Sequence, residues 1–105
     1  MPDDLLIKAA LERQEVFRNL DKHLQSIKET ARKLDPDAEI YLFGSVAEKK
    51  HNYSSDIEVL IITKTKLGRV LAELWKAGIG DPFEIHVQPQ EKLETYKRRA
   101  RLTKV

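Results

Sequence analysis

The feature that most constrains the fold is an almost uninterrupted apolar run in the middle of the chain. Residues 57–62 read Ile-Glu-Val-Leu-Ile-Ile, so that Glu58 is the one charged residue in the run. β-Branched and aliphatic residues favour a strand, and apolar side chains on both faces are typical of a strand that is covered on both sides. Val59–Ile62 is too short to span a bilayer. We therefore expect an α/β fold in which helices flank a sheet.

Hydrophobic periodicity over the rest of the chain predicts the order helix, strand, strand, helix, strand, helix. The predicted elements are one long helix or two helices over residues 1–35, strands at 39–43, 56–63 and 82–87, a helix at 66–76, and a last helix from about 90 to 101. This order predicts a small mixed sheet of three to four strands in a single domain, 1–105. Its parts would be the N-terminal helix or helices (1–35), a core (36–89) and a basic C-terminal helix (90–105).

Length and composition exclude several classes of protein. A chain of 105 residues suits one domain and is too short for a polymerase with its own template-binding domains. The absence of cysteine excludes disulfides and thiolate metal sites. The start, Met-Pro-Asp-Asp, lacks the basic segment of a signal peptide, so we expect a cytoplasmic protein without a membrane partner. Many lysines and glutamates with one methionine are common in thermophile proteins.

Positive charge is concentrated at the C-terminus. Residues 90–105 carry six basic side chains against two acidic ones, and five of the six are Lys97, Arg98, Arg99, Arg101 and Lys104. Basic residues near a helix C-terminus interact favourably with the helix dipole, so this is one explanation. The other is a patch that binds phosphate, RNA or an acidic partner.

Three carboxylates are candidate metal ligands. Asp56 and Glu58 are two positions apart on a predicted strand, so their side chains point to the same face. Like charges on a mostly buried strand repel each other and lose hydration, which a cation between them would relieve. Glu84 alternates with the apolar residues of the third strand and would face the same pocket if the two strands are neighbours. Oxygen ligands of this kind suit Mg²⁺.

The first strand ends at Gly44-Ser45, which is a candidate phosphate-binding turn. Glycine permits a sharp turn and a close approach of the backbone to a phosphate, and Ser45 adds a hydroxyl donor. One loop could hold the phosphates of a nucleotide while the carboxylates hold the metal ions that bridge them. Phosphoryl transfer assisted by two metal ions needs this arrangement.

Together these residues resemble the DNA polymerase β-like nucleotidyltransferase superfamily, in particular its minimal nucleotidyltransferases. The matching pattern is Leu42-Phe43-Gly44-Ser45, ten residues, then Asp56-Ile57-Glu58, and later Phe83-Glu84-Ile85. The resemblance covers about residues 20–90. It implies a nucleotidyltransferase fold, two Mg²⁺ ions at Asp56, Glu58 and Glu84, and transfer of a nucleoside monophosphate from ATP or another nucleotide to a hydroxyl. It also implies nucleotide contacts at Gly44 and Ser45, with Lys49 and Ser55 as further candidates.

The resemblance implies a partner as well, because minimal nucleotidyltransferases are often paired with a HEPN-type helical RNase toxin that they neutralise. The chain could adenylylate such a partner, or it could be an antitoxin-like binding module that acts by occlusion. The N-terminal helix could instead form a homo-oligomer, and the basic C-terminus could bind RNA.

Two departures from the family pattern affect the site. Val46 and Glu48 stand where the family often has basic residues, so a cation for the triphosphate would be missing or displaced. Glu58 replaces the commoner aspartate and is one methylene longer.

His86 shares a strand face with Glu84, either supporting the metal site or packing in the strand. Tyr53 could stack on a base.

Overall fold

The structure is a computed structural model that describes residues 2–52 and 54–105, with the side chains of residues 2 and 3 excepted. Its elements are α1 (Pro2–Arg18), α2 (Leu20–Leu34), β1 (Glu39–Phe43), α3 (Gly44–Ala47), β2 (Ile57–Ile62), α4 (Leu67–Lys76), β3 (Phe83–Gln88), a 3₁₀ turn (Gln90–Lys92), α5 (Leu93–Arg99) and β4 (Thr103–Lys104). Within these residues the strands form one mixed sheet with flanking helices, which confirms the predicted fold class. None of the described helices is both long enough and apolar enough to cross a membrane.

The sheet has the strand order β3-β2-β1-β4. β1 runs antiparallel to both of its neighbours, whereas β2 and β3 are parallel. Parallel strands need a long crossover connection, and the segment that contains α4 provides it. The register places Glu58 between Phe43 on β1 and Glu84 on β3. The two glutamates are therefore direct neighbours across the parallel pair.

Both faces of the sheet are covered, as the apolar run predicts. The larger core lies under α2 and α4 and includes Ile57, Val59 and Ile61 from β2. A smaller core on the opposite face joins Leu60 and Ile62 to Tyr41, Phe43 and Leu93 of α5. Because side chains alternate along a strand, Glu58 lies on the face of the smaller core.

The N-terminal segment consists of two helices with a break at Asn19, whose φ of −112° and ψ of 34° lie outside the helical range. The second helix buries Leu24, Ile27 and Ala31 against the sheet. The first helix is largely exposed, and its Leu6 is 71% exposed. The sequence leaves one or two helices open, and the structure has two, with Val16 and Phe17 at the end of the first already packed against the larger core.

The prediction of a basic helix over 90–105 is wrong at its C-terminal end. α5 ends earlier than predicted, and the following residues form β4 on the edge of β1. The Val105 N–H donates to the Ile40 carbonyl at 2.9 Å, and the Lys104 ammonium lies 3.0 Å from the Glu39 carboxylate. The extended chain thus satisfies the open edge of β1, which a longer helix would leave unpaired.

Candidate active site

The parallel pairing of β2 and β3 brings two carboxylates together at one end of the sheet. Glu58 and Glu84 are aligned in the register and lie on the same face, opposite the large core. The Glu58 side chain is 32% exposed and the Glu84 side chain 51% exposed. Two carboxylates in this position repel each other, and burial weakens the screening by water. The pair is therefore suited to binding a positive charge.

His86, two residues further along β3, completes a cluster with these glutamates. Its Nε2 lies 3.3 Å from Glu84 Oε1 and 3.8 Å from Glu58 Oε1. The ring packs edge-on against Phe43 and Tyr96, and the Tyr96 hydroxyl lies 3.5 Å from Nδ1. Nε2 itself is buried and makes no hydrogen bond with any described residue. The sequence leaves open whether His86 packs within the sheet or lies at the metal site. In the structure its ring packs against aromatic residues and also lies beside the two carboxylates.

The Glu58–Glu84–His86 cluster has the composition and spacing of a divalent-cation site. One donor atom from each side chain lies within 4.8 Å of the other two. Carboxylate oxygens suit Mg²⁺ and Mn²⁺, and an imidazole nitrogen adds affinity for first-row transition metals. Nε2, which makes no hydrogen bond with a described residue, and the two adjacent carboxylates are the groups that a cation would satisfy. The residues present therefore fit a divalent metal.

Asp56, the first of the predicted carboxylates, lies apart from this cluster. Its side chain is 60% exposed, and a carboxylate oxygen lies 4.0 Å from the Arg13 guanidinium. The strand begins only at Ile57, whose N–H donates to the Pro82 carbonyl. Asp56 therefore precedes the regular strand, and strict alternation does not fix its direction. Among the described side chains, the group close enough to share a cation does not include it.

Gly44 is required by its position at the end of β1. It has a φ of +79°, in the left-handed region that residues other than glycine rarely adopt. A Cβ added there would collide with the Glu58 carboxylate. Glycine thus lets this turn pass directly over a residue of the cluster. The half-buried Ser45 follows in the short helix α3.

A cavity of about 590 Å³ opens beside this turn. Glu58 belongs both to the cluster and to the cavity wall, which also includes Gly44 and Glu48. The C-terminal segment contributes further lining residues, which include Lys92, Thr95, Tyr96 and Arg99. A volume of this size is in the range of small-molecule sites. The cavity is large enough for a nucleotide.

Lys92 was not among the residues predicted from the sequence, and Arg99 was predicted only as part of the basic C-terminal patch. The two are seven positions apart, with Tyr96 between them. That spacing places side chains on one face of a helix. The spacing could therefore have predicted that Lys92 and Arg99 lie on the same helix face. It does not indicate which part of the sheet that face covers.

Two other predicted nucleotide-binding residues lie elsewhere. Lys49 lines a separate cavity together with Phe17 and His51, and it has a φ of +58°. Ser55 stabilises the loop before β2: its hydroxyl accepts from the Asn52 N–H at 3.1 Å, and its carbonyl accepts from Arg13 at 2.6 Å. The structure does not bring either residue into the cavity wall beside Gly44. Tyr53 lies outside the described residues.

Comparison with known proteins agrees with this geometry. Residues 24–104 match the family model of the nucleotidyltransferase domain. The chain is also similar to a crystal structure of a protein proposed to be a nucleotidyltransferase, with 31% identity and a TM-score of 0.63 over 79% of this chain and 97% of the other. A search of curated proteins finds no significant match. The match to the family model extends over most of the chain and includes the turn, both carboxylate strands and α5, so the chain belongs to the nucleotidyltransferase domain family.

Proposed function

We propose that the protein uses divalent cations to transfer a nucleoside monophosphate to a hydroxyl acceptor, with ATP as the expected donor and AMP as the group transferred. The observation that carries this proposal is the position of Glu58, which lies beneath the Gly44 turn, lines a nucleotide-sized cavity and is paired with Glu84 on the neighbouring strand. The pairing supplies an acidic centre for cations and a turn where the backbone can approach phosphate. Both belong to the chemistry of nucleotidyl transfer.

Glu58, Glu84 and Asp56 are the carboxylates proposed to hold Mg²⁺, and two ions would use all three. Glu58 and Glu84 already lie together with His86. The exposed Asp56 would have to turn from Arg13 toward them. When bound, the cations would neutralise the carboxylates and offset the charge that develops on the phosphates.

In the reaction, an oxygen of the acceptor forms a bond to the α-phosphorus. The bond from that phosphorus to the oxygen that bridges it to the β-phosphate breaks, and pyrophosphate leaves with the electron pair. Glu84 is half-exposed and lies next to Glu58, which lines the cavity, so it can orient the acceptor hydroxyl and accept its proton. Gly44 and Ser45 would bind the nucleotide phosphates through the backbone and a hydroxyl.

The proposal is tested by the position of the label that is transferred. With Mg²⁺ and ATP labelled at the α-phosphate, the protein should label an acceptor, whereas label at the γ-phosphate should appear in pyrophosphate. Glu84→Gln keeps the shape of the side chain and should abolish transfer, while Glu91→Gln, an exposed residue outside the cluster, should have no effect. The acceptors to test are the protein itself and a HEPN-type helical protein from the neighbouring reading frame. Transfer of the γ-label, or no transfer from any of the four nucleotides, would contradict the proposal.

A second function, an antitoxin-like binding module that occludes a helical RNase, is favoured by α1. Four of its large apolar side chains are 57% exposed or more: Leu5, Leu6, Ile7 and Leu11. Exposed apolar side chains around a helix are suited to burial against another protein. If occlusion is the function, partner binding should survive Glu84→Gln unchanged and should be lost on Leu6→Glu. The same side chains could serve a homo-oligomer, which sedimentation of the isolated protein would detect.

A further inference from the structure

The C-terminal segment places two cations in the wall of the nucleotide-sized cavity. Lys92 and Arg99 line it together with Gly44 and Glu58, and both belong to exposed residues. Neither forms an ion pair with a described residue, in contrast to Lys97, which lies 3.7 Å from the Glu94 carboxylate. Unpaired cations in a concave wall raise the local concentration of anions. This wall is therefore suited to an anionic part of a ligand.

The turn after β1 has no basic residue at positions 45–48. Val46 is buried in the larger core, and Glu48, whose carboxylate lies 3.9 Å from the Lys50 ammonium, lines the same cavity. With Glu58, the β-strand side of the cavity is acidic. With cations bound at Glu58, a polyphosphate there would still lie near the Glu48 carboxylate, so further positive charge in the cavity wall would favour its binding. Among the lining residues, Lys92 and Arg99 carry that charge.

We propose that Lys92 and Arg99 bind the β- and γ-phosphates of the nucleotide and the pyrophosphate that leaves. The inference rests on the proposed function, because it assigns the polyphosphate to one wall of the same cavity. Arginine presents a planar fork of donors that fits phosphate oxygens, and lysine adds a compact charge. Together they replace the basic residues absent after Gly44-Ser45.

The backbone that carries these two side chains is held firmly on the sheet. Leu93 is 5% exposed in the smaller core, and Tyr96 packs edge-on against Phe43. The two cations stand seven residues apart, which corresponds to about 10 Å along a helix. Long side chains at the two ends of such a segment can converge on a group between them. Packing thus fixes both anchor points before any ligand binds.

The test is calorimetric titration of the full chain with ATP, ADP, AMP and inorganic pyrophosphate in the presence of Mg²⁺. Lys92→Gln and Arg99→Gln should each weaken binding of ATP and pyrophosphate by about tenfold or more, the usual effect of losing a hydrogen bond to a charged group. AMP binding should change by less than about threefold, because AMP lacks the β- and γ-phosphates. Arg98→Gln, the neighbour that does not line this cavity, is the matched control and should leave all four affinities unchanged.

Three results would overturn the inference: equal losses for AMP and ATP, an equal loss in Arg98→Gln, or no binding of pyrophosphate and ATP by the unaltered protein. The equal loss in Arg98→Gln would indicate a diffuse basic surface, of the kind that binds RNA. Unfolding temperatures of the variants show whether a loss of binding reflects a loss of fold. Pyrophosphate binding requires no acceptor and no transfer, so the inference can stand if the label-transfer assay fails and can fail if that assay succeeds.

Discussion

Substitution of Gly44 by alanine separates the role of this residue in the fold from its role in the site. Gly44 has a φ of +79°, and Gly78, after α4, has a φ of +83°. An alanine in the left-handed region is strained by about 1–2 kcal/mol. Gly44→Ala and Gly78→Ala should therefore lower the free energy of unfolding by similar amounts, about 1–2 kcal/mol each.

The two positions differ in what a new methyl group would meet. At Gly78 the added Cβ would have no heavy atom of the described residues within 4 Å apart from Gly78 and its chain neighbours, whereas at Gly44 the Cβ would collide with the Glu58 carboxylate. The carboxylate is the end of a flexible, partly exposed side chain, so it should rotate away at little cost in stability. The rotation removes Glu58 from the cluster with Glu84 and His86. We expect cation affinity to fall by at least about tenfold in Gly44→Ala, which is the lower end of the loss seen when groups around a metal site are altered.

The assays are urea denaturation for stability and calorimetric titration with Mn²⁺ for the site. Gly78→Ala is the matched control for strain, and Gly68→Ala, in α4 with open space around the added Cβ and no positive φ, is the control for the substitution itself. The reasoning is refuted if Gly44→Ala binds Mn²⁺ as tightly as the unaltered protein. A matching loss of Mn²⁺ affinity in Gly78→Ala would also refute it, because strain alone would then explain the effect.

Three further predictions follow from contacts at and around the site. His86→Gln should weaken Mn²⁺ binding several-fold more than Mg²⁺ binding in calorimetry, because imidazole favours transition metals; equal losses would contradict a role for Nε2 as a ligand. The hydrogen bond from the Thr63 hydroxyl holds the pKa of Asp35 below its ordinary value of 3.8, so the stabilisation is complete above that value and is lost as the pH falls through the folded pKa. Asp35→Asn should therefore cost about 1 kcal/mol near neutral pH and nothing below the folded pKa, in thermal melts between pH 2 and 7; a constant difference would contradict this. Arg13→Ala removes two hydrogen bonds to Asp81 and one to the Ser55 carbonyl, so it should lower the free energy of unfolding by about 1 kcal/mol or more in urea, whereas Arg18→Ala at the end of α1 should not.

The strands carrying the carboxylates could be predicted from the sequence because alternation is a local property. The apolar residues on either side of Glu58 and Glu84 set the buried face, and the glutamates then point the other way. Whether two strands are neighbours is not a local property. In the structure β2 and β3 are neighbours and parallel, connected by the segment that contains α4. The family pattern then indicates which face carries the chemistry.

The remaining features depend on contacts between distant residues. Asp56 lies beside Arg13, 43 positions earlier, and no local pattern predicts that contact. β4 forms because the edge of β1 is open, which can be seen only once the sheet is assembled. Lys92 and Arg99 reach the cavity because α5 packs on the smaller core. In each case the side chain's surroundings are set by tertiary packing, which the sequence pattern does not specify.

The most direct test of the central claim is calorimetric titration of the protein with ATP, with Mg²⁺ present and with EDTA in its place. The account predicts that ATP binds with Mg²⁺, that EDTA abolishes binding, and that Glu58→Gln with Glu84→Gln abolishes it while the fold remains intact. ATP binding that persists in EDTA and in the double variant would show that the paired carboxylates beneath Gly44 are not a cation-dependent nucleotide site.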